Sequence, residues 1–284
     1  VRLSYRPLFT LPSAVQDPAA APLGDGRFAL LGGLDAADTS TAQVTVADLH
    51  GLTSQATLPG AQHDAQAASL GGHVYVFGGG QFQQYSHILR FDPGAGSVTA
   101  TGALPTAASD VAVTALNGTA YVVGGFDGSS ALDTIVAWKP GAAAHVVGRL
   151  PVALRYASAV ATGNALLVIG GSTPNGASNA IFSFDPATGT VRQIGRLPRA
   201  TTHAGAAALG STIYLVGGRG DSVDSPTAAI EAINPSTGQV TPAGTLPEPM
   251  SDAGVLSMGD AILVAGGRSA SATQAGVGEL VPAA

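Results

Sequence analysis

Six side chains with chemistry to offer stand at one repeated offset in this sequence. Asp17, Asp64, Asp110, Tyr156, His203 and Asp252 each lie five residues after the proline of a Leu-Pro pair. Four carboxylates brought together repel one another, which raises some of their pKa values unless a cation or hydrogen-bond donors intervene. An imidazole or carboxylate beside an arginine and a phenol could instead move protons, and His203, Asp110, Arg155 and Tyr156 are the candidates for that work. Arg155, Arg219 and Arg268 are candidates to fork onto a carboxylate ligand. The set reads as a socket for a polar or sugar-like ligand, with room for a cation. The plainer reading is six turn residues, each accepting hydrogen bonds from loop amides. No cofactor is implied, and no metal ligands can be assigned.

Composition removes many other chemistries. Without cysteine there is no disulfide framework, no thiolate cage, no iron–sulfur cluster and no cysteine nucleophile. A net charge of −6 with a single lysine argues against a nucleic-acid partner. Only 11% of residues are charged and 45% are apolar, which excludes a disordered chain. No apolar run reaches the roughly 18 residues of a membrane span, and no signal segment opens the chain. There is no phosphate-cradling loop, no Gly-x-Ser-x-Gly elbow and no His-Glu-x-x-His. The histidines His50, His63, His73, His87, His145 and His203 have no ligand spacing and are expected on surfaces and loops. Arg219-Gly220-Asp221 spells an adhesion tripeptide, a match that a Gly- and Asp-rich loop produces by chance. Asn117-Gly118-Thr119 is a glycosylation sequon that a hairpin turn explains equally well.

The elements that must position the six come from a repeat. Gly-Gly pairs begin at Gly32, Gly78, Gly124, Gly170, Gly217 and Gly266, spaced by 46, 46, 46, 47 and 49 residues. Leu-Pro begins at Leu11, Leu58, Leu104, Leu150, Leu197 and Leu246, always 20 or 21 residues ahead of a Gly-Gly. Two markers in register over the chain define a repeat protein. A short apolar run such as Val74–Phe77 precedes each Gly-Gly and reads as a buried strand. Ahead of it lies a small-residue stretch such as Ala204–Leu209, suited to strands crowded near an axis. After each Gly-Gly come a polar loop, a third strand and, in most repeats, an Asp-Pro-type turn, as at Asp92-Pro93 and Asp185-Pro186. A fourth strand such as Thr190–Ile194 leads to the next Leu-Pro.

The expected fold is all-β: a six-bladed β-propeller of four-stranded antiparallel blades. One domain covers 1–284, with blades near 12–57, 58–103, 104–149, 150–196, 197–245, and 246–284 plus 1–11. The last repeat lacks a fourth strand and the first segment is a fourth strand without predecessors. Residues around 3–9 should therefore pair with residues around 276–281 and close the ring. Closure places the six residues on a circle and the loops after Gly-Gly on the same face: Asp35 and Asp38, Gln81 to Tyr85, Phe126 and Asp127, Asn175, Arg219 and Asp221, Arg268.

The stretch Leu116 to Gly128, the Phe-Asp-Pro of Phe91 to Pro93 and Phe184 to Pro186, and the recurrent Leu-Pro resemble kelch repeats over essentially the whole chain. Kelch repeats usually carry a tryptophan six residues before the Leu of Leu-Pro. Here those positions hold Tyr5, Leu52, Val98, Ala144, Val191 and Val240, and smaller aliphatic groups are expected to fill the volume. The resemblance implies a binding or interaction module that presents loops around the channel to a protein, peptide or glycan. The alternatives are a carbohydrate-active kelch enzyme, such as a sugar mutarotase or epimerase, and a structural module of a larger secreted or surface protein. Kelch-like copper-radical oxidases need a Tyr–Cys crosslink, which this sequence cannot form. A monomer is expected, and the Ala- and Gly-rich, lysine-poor composition leans towards a bacterial, extracellular or periplasmic setting.

Overall fold

Strands account for all the regular structure in a computed structural model that describes residues 1–283, with no helix among them. The third blade shows the plan. Ala112–Leu116, Thr119–Val123, Thr134–Trp138 and His145–Arg149 pair antiparallel in chain order. The turn between its first two strands is Asn117-Gly118, both at positive φ, which is what a two-residue hairpin requires and accounts for the sequon.

The same order recurs in the fourth and fifth blades. The first and second blades share one strand, Gly51–Leu70, which pairs with Thr41–Asp48 through its first half and with His73–Gly80 through its second. It is the outer strand of one blade and the inner strand of the next. It runs straight through Leu58-Pro59, and in the fifth blade Val240–Met250 likewise runs through Leu246-Pro247. Proline is tolerated there because both stretches lie where a strand leaves its ladder and needs no donor. A small extra hairpin, Ser172–Thr173 with Gly176–Ala177, projects from the fourth blade.

The ring closes as the repeat arithmetic requires. Leu3–Thr10 pairs with Gly276–Pro282, from Leu3 opposite Pro282 to Thr10 opposite Gly276. There is no single central core. Six apolar clusters lie between adjacent blades, and the one joining the last blade to the first packs Phe28 and Leu30 against Leu256, Leu263 and Val277.

The space left by the missing kelch tryptophan is filled from the third strand. Phe91, Trp138 and Phe184 are wholly buried there and share their clusters with Val98, Ala144 and Val191 respectively. Trp138 meets Tyr75 and Phe77 of the preceding blade edge-on, with centroids 4.9 and 5.6 Å away. Volume is thus exchanged between neighbouring strands, and small residues at one position are matched by large ones at the other.

Each Gly-Gly is a joint between blades. The second glycine donates its N–H to a carbonyl of the loop entering the next blade: Gly33 to Gln62, Gly79 to Ala108, Gly125 to Leu154, Gly171 to Thr201, Gly218 to Met250 and Gly267 to Val15, all at 2.8–2.9 Å. The first glycine lies against the same carbonyl, so that a Cβ on Gly170 would fall 2.2 Å from Thr201 O. Both glycines have positive φ. Gly170→Ala should therefore cost about 3 kcal/mol or more in urea denaturation. Gly210→Ala, at similar φ but with open space around it, should cost only about 1–2 kcal/mol. Equal losses would show that the close approach contributes nothing beyond φ.

Candidate functional site

The carbonyls gripped by the glycines belong to Val15, Gln62, Ala108, Leu154, Thr201 and Met250, each two residues before one of the six candidates. The joint therefore sets where Asp17, Asp64, Asp110, Tyr156, His203 and Asp252 stand. All six adopt φ between 51° and 60°. Asp and His visit this left-handed region more readily than most residues, whereas for Tyr156 it is strained, at about 1–3 kcal/mol. The conformation turns each backbone N–H towards its neighbour. Asp17 donates to the carbonyl of Asp252, Asp252 to His203, His203 to Tyr156, Tyr156 to Asp110 and Asp110 to Asp64, at 2.8–3.2 Å. A belt of main-chain hydrogen bonds runs around the axis, and five links join all six blades.

The side chains of the six line a space of about 50 Å³ at this mouth. Beneath it runs a channel of about 370 Å³ walled by the inner strands, with alanines in every blade. The residue before each ring member pairs with the residue after the Gly-Gly of its own blade, as in Ser109 with Phe126, Thr202 with Arg219 and Ser251 with Arg268. The post-glycine loops therefore share the face of the ring.

Electrostatically the ring is built of internal pairs. Asp17 lies against Asp252 and Asp64 against Asp110. Burial, then the neighbouring carboxylates, push Asp17 and Asp64 well above the usual carboxylate range. Burial also raises Asp252, opposed by its hydrogen bonds from Ser251 and Asp17 and by Arg219 and Arg268. Asp110 is paired with the guanidinium of Arg155, which also lies over the Phe126 ring at 4.1 Å. The Tyr156 hydroxyl donates to Asp64 at 3.2 Å, and desolvation followed by the nearby carboxylates raises its pKa.

His203 stacks on Tyr156 with centroids 3.7 Å apart. Its Nε2 accepts from Arg219 Nη2 at 2.9 Å, so its proton sits on Nδ1 and is donated to Thr202 Oγ1, also at 2.9 Å. Thr202 Oγ1 in turn meets Ser172 Oγ at 2.8 Å. Burial, then Arg219 and Arg155, push the imidazole down to about 2. It is neutral throughout the physiological range. His203 lies in the loop between Thr190–Arg196 and Gly205–Leu209, packed into the ring rather than onto the outer surface.

All nine sequence candidates gather on one face, but the arginines are already engaged within the protein. Arg155 holds Asp110. Arg219 holds His203 and lies 3.9 Å from Asp252. Arg268 holds Asp38 at 3.1 Å, and Asp38 accepts from buried Gln16 at 2.6 Å, which ties the last blade to the first. Arg155 reaches Asp110 through two nitrogens, whereas Arg219 and Arg268 each leave a buried Nε without a partner. In Arg219-Gly220-Asp221 the arginine turns inwards and Asp221 accepts from the Ala177 N–H at 2.5 Å, so the tripeptide is a brace between blades. Asp35 and Asp127 cap their own loops, each accepting two backbone N–H groups. Among the described residues no three His, Asp or Glu side chains converge in a metal-binding geometry.

Sequence reasoning passed over Gln16, His63, Thr202 and Ser251, which brace the ring. The signal was available, since the residue before each ring member is polar in every blade: Gln16, His63, Ser109, Arg155, Thr202 and Ser251. His63 bridges Ser40 Oγ at 2.9 Å and Asp64 at 3.5 Å. This falls short of a hydrolytic triad, because 3.5 Å from Nε2 to Asp64 is longer than the hydrogen bond that would orient the imidazole.

Profile comparison matches the Kelch motif at residues 107–143, 153–198 and 200–247, the third, fourth and fifth blades. A solved structure described as "Structure of YjhT" superposes with a TM-score of 0.81 over 95% of this chain and 96% of that one, at 17% identity. That likeness carries the architecture. No curated protein sequence matches.

Carboxyls held protonated by the fold stabilise it below the unfolded pKa of about 3.9, and that contribution is lost as pH rises through the raised folded value. Asp17→Asn, which keeps the left-handed turn and removes the titration, should raise the thermal midpoint at pH 7 and flatten its decline between pH 4 and 8. An unchanged pH slope would mean that Asp17 titrates normally.

Proposed function

We propose that this kelch-motif propeller is a binding module that takes a protein or peptide partner on its ring face, with the loops after the Gly-Gly pairs as contact surface. One observation carries the reading. Most polar groups of the ring are engaged with one another, Asp252 Oδ1 and the Nε of Arg219 and Arg268 excepted, while the adjoining loop leaves Phe82 at 95% exposure between Gln81 and Gln83. A fully solvated aromatic ring on a short, braced loop is an anchor without its pocket. Val223, 43% exposed on the loop after Gly217-Gly218, adds a second apolar tip to the face. Acidic Asp38 and Asp221 stand nearby on exposed positions, which favours partners without dense negative charge.

A glycan would use the same aromatic tip through its apolar face and remains the neighbouring reading. A sugar isomerase draws less support. The space at the ring is about 50 Å³, and the channel of about 370 Å³ beneath it is lined by no titratable side chain. Both nitrogens of His203 are engaged, and its pKa is far from the neutral range that suits a general base.

Selection against a displayed random-peptide library, run beside a glycan array, tests the reading. Peptide binders are expected, and Phe82→Ser should weaken them about tenfold or more while changing stability by less than about 0.5 kcal/mol. Binders indifferent to Phe82→Ser would move the site off this face, and glycan hits alone would replace the ligand class.

A further inference from the structure

The repeat supplies its own controls, because a groove that is ordinary in five blades and altered in one stands out. Beside each Leu-Pro loop, the third strand turns one side chain towards the preceding blade. It is the residue just after the one paired with the end of the second strand. In the first four blades that residue is Thr45, Leu89, Val136 or Phe182, each buried against its neighbours. In the sixth it is Gly278, and the ring of Tyr5 occupies the space its side chain would take. In the fifth it is Glu231, which is half-buried.

The residue directly after Leu-Pro faces the same groove. It is Ser13, Gly60, Thr106, Val152 and Glu248 in the other blades, and Arg199 in the fifth. Only the fifth blade sets an acid and a base into this groove. There the cavity measures about 210 Å³, with Arg199, Thr201, Leu215, Thr227, Ala229 and Glu231 in its wall. In the third blade the matching cavity is about 30 Å³ and lined by Leu104, Val122 and Val136. In the first it is about 150 Å³, with neutral Ser13 and Thr45 at the two positions.

A glutamate in a seat that packs Leu89, Val136 and Phe182 in the second, third and fourth blades costs stability unless something answers its charge. Neither Glu231 nor Arg199 forms an ion pair among the described residues. Burial raises the Glu231 carboxyl and Arg199 lowers it, so the two charges feel each other across the cavity without closing it. We infer that the fifth-blade groove binds a small zwitterion of the α-amino-acid type, its ammonium on Glu231, its carboxylate on Arg199 and its side chain along Leu215 and Ala229. The volume suits such a ligand, being smaller than the ~300–1,000 Å³ that drug-sized molecules occupy. The two charges select for both ends at once, since a ligand lacking either leaves one of them unanswered.

The test is isothermal titration of the full chain with the free L-amino acids. N-acetyl and carboxamide forms of any binder serve as probes that lack one charge. Binding of at least one free amino acid is expected, lost by about tenfold or more in either blocked form. Glu231→Gln and Arg199→Gln should each weaken it similarly. Arg199 is exposed, so its variant keeps the fold, which circular dichroism verifies. Glu231→Leu, which restores the residue type of the second blade, should abolish binding and raise the unfolding midpoint. Absence of heat with every amino acid, or binding unchanged in Arg199→Gln, overturns the proposal. A gain of stability in Glu231→Leu without any amino-acid binding would identify the groove as a packing defect.

Discussion

One hydrogen bond, made six times, holds the rest of this molecule in place. The second glycine of each pair donates to a carbonyl of the next blade, two residues ahead of a ring side chain. Blades of a propeller otherwise meet through apolar faces, which are not directional and permit sliding. The glycine contact fixes the slide, because the first glycine leaves no room for any other position. The last of the six, from Gly267 to Val15, ties the end of the chain to its beginning and makes the array a ring.

From that constraint the ring residues follow. With the carbonyl two positions earlier fixed, the chain turns sharply through the left-handed region and aims its next N–H at the neighbouring blade. Asp fills this position four times because it tolerates the turn. Burial and neighbouring carboxylates raise Asp17 and Asp64, and Asp110 pairs with Arg155, since a charge taken out of water must find a partner or be neutralised. The polar mouth of the channel is therefore a structural keystone that joins the blades.

Much of this was legible as spacing. The Gly-Gly and Leu-Pro periods give the blade count and strand order, and the unpaired first strand gives the closure later seen between Leu3–Thr10 and Gly276–Pro282. The offset of five after Leu-Pro finds all six ring members. What the offset could not supply was direction. Arg155, Arg219 and Arg268 look the same in sequence whether they reach for a ligand or for a neighbouring blade, because their partners Asp110, His203 and Asp38 lie 45, 16 and 230 residues away. The space left by the absent tryptophan is likewise filled from another strand, by Phe91, Trp138 and Phe184, a substitution visible only once strands are laid side by side.

The sequence by itself determined the architecture, because periodic punctuation is a local property: each glycine pair and each proline acts within its own few residues and repeats. Tertiary structure alone decided the chemistry. Whether a carboxylate is charged, whether an imidazole is free and whether a groove is filled depend on neighbours from other blades, brought within a few ångströms by ring closure. Six positions equivalent in the chain thereby became a belt linked through its main chain, and two positions ordinary in five blades, Arg199 and Glu231, came to face each other across an open space in one.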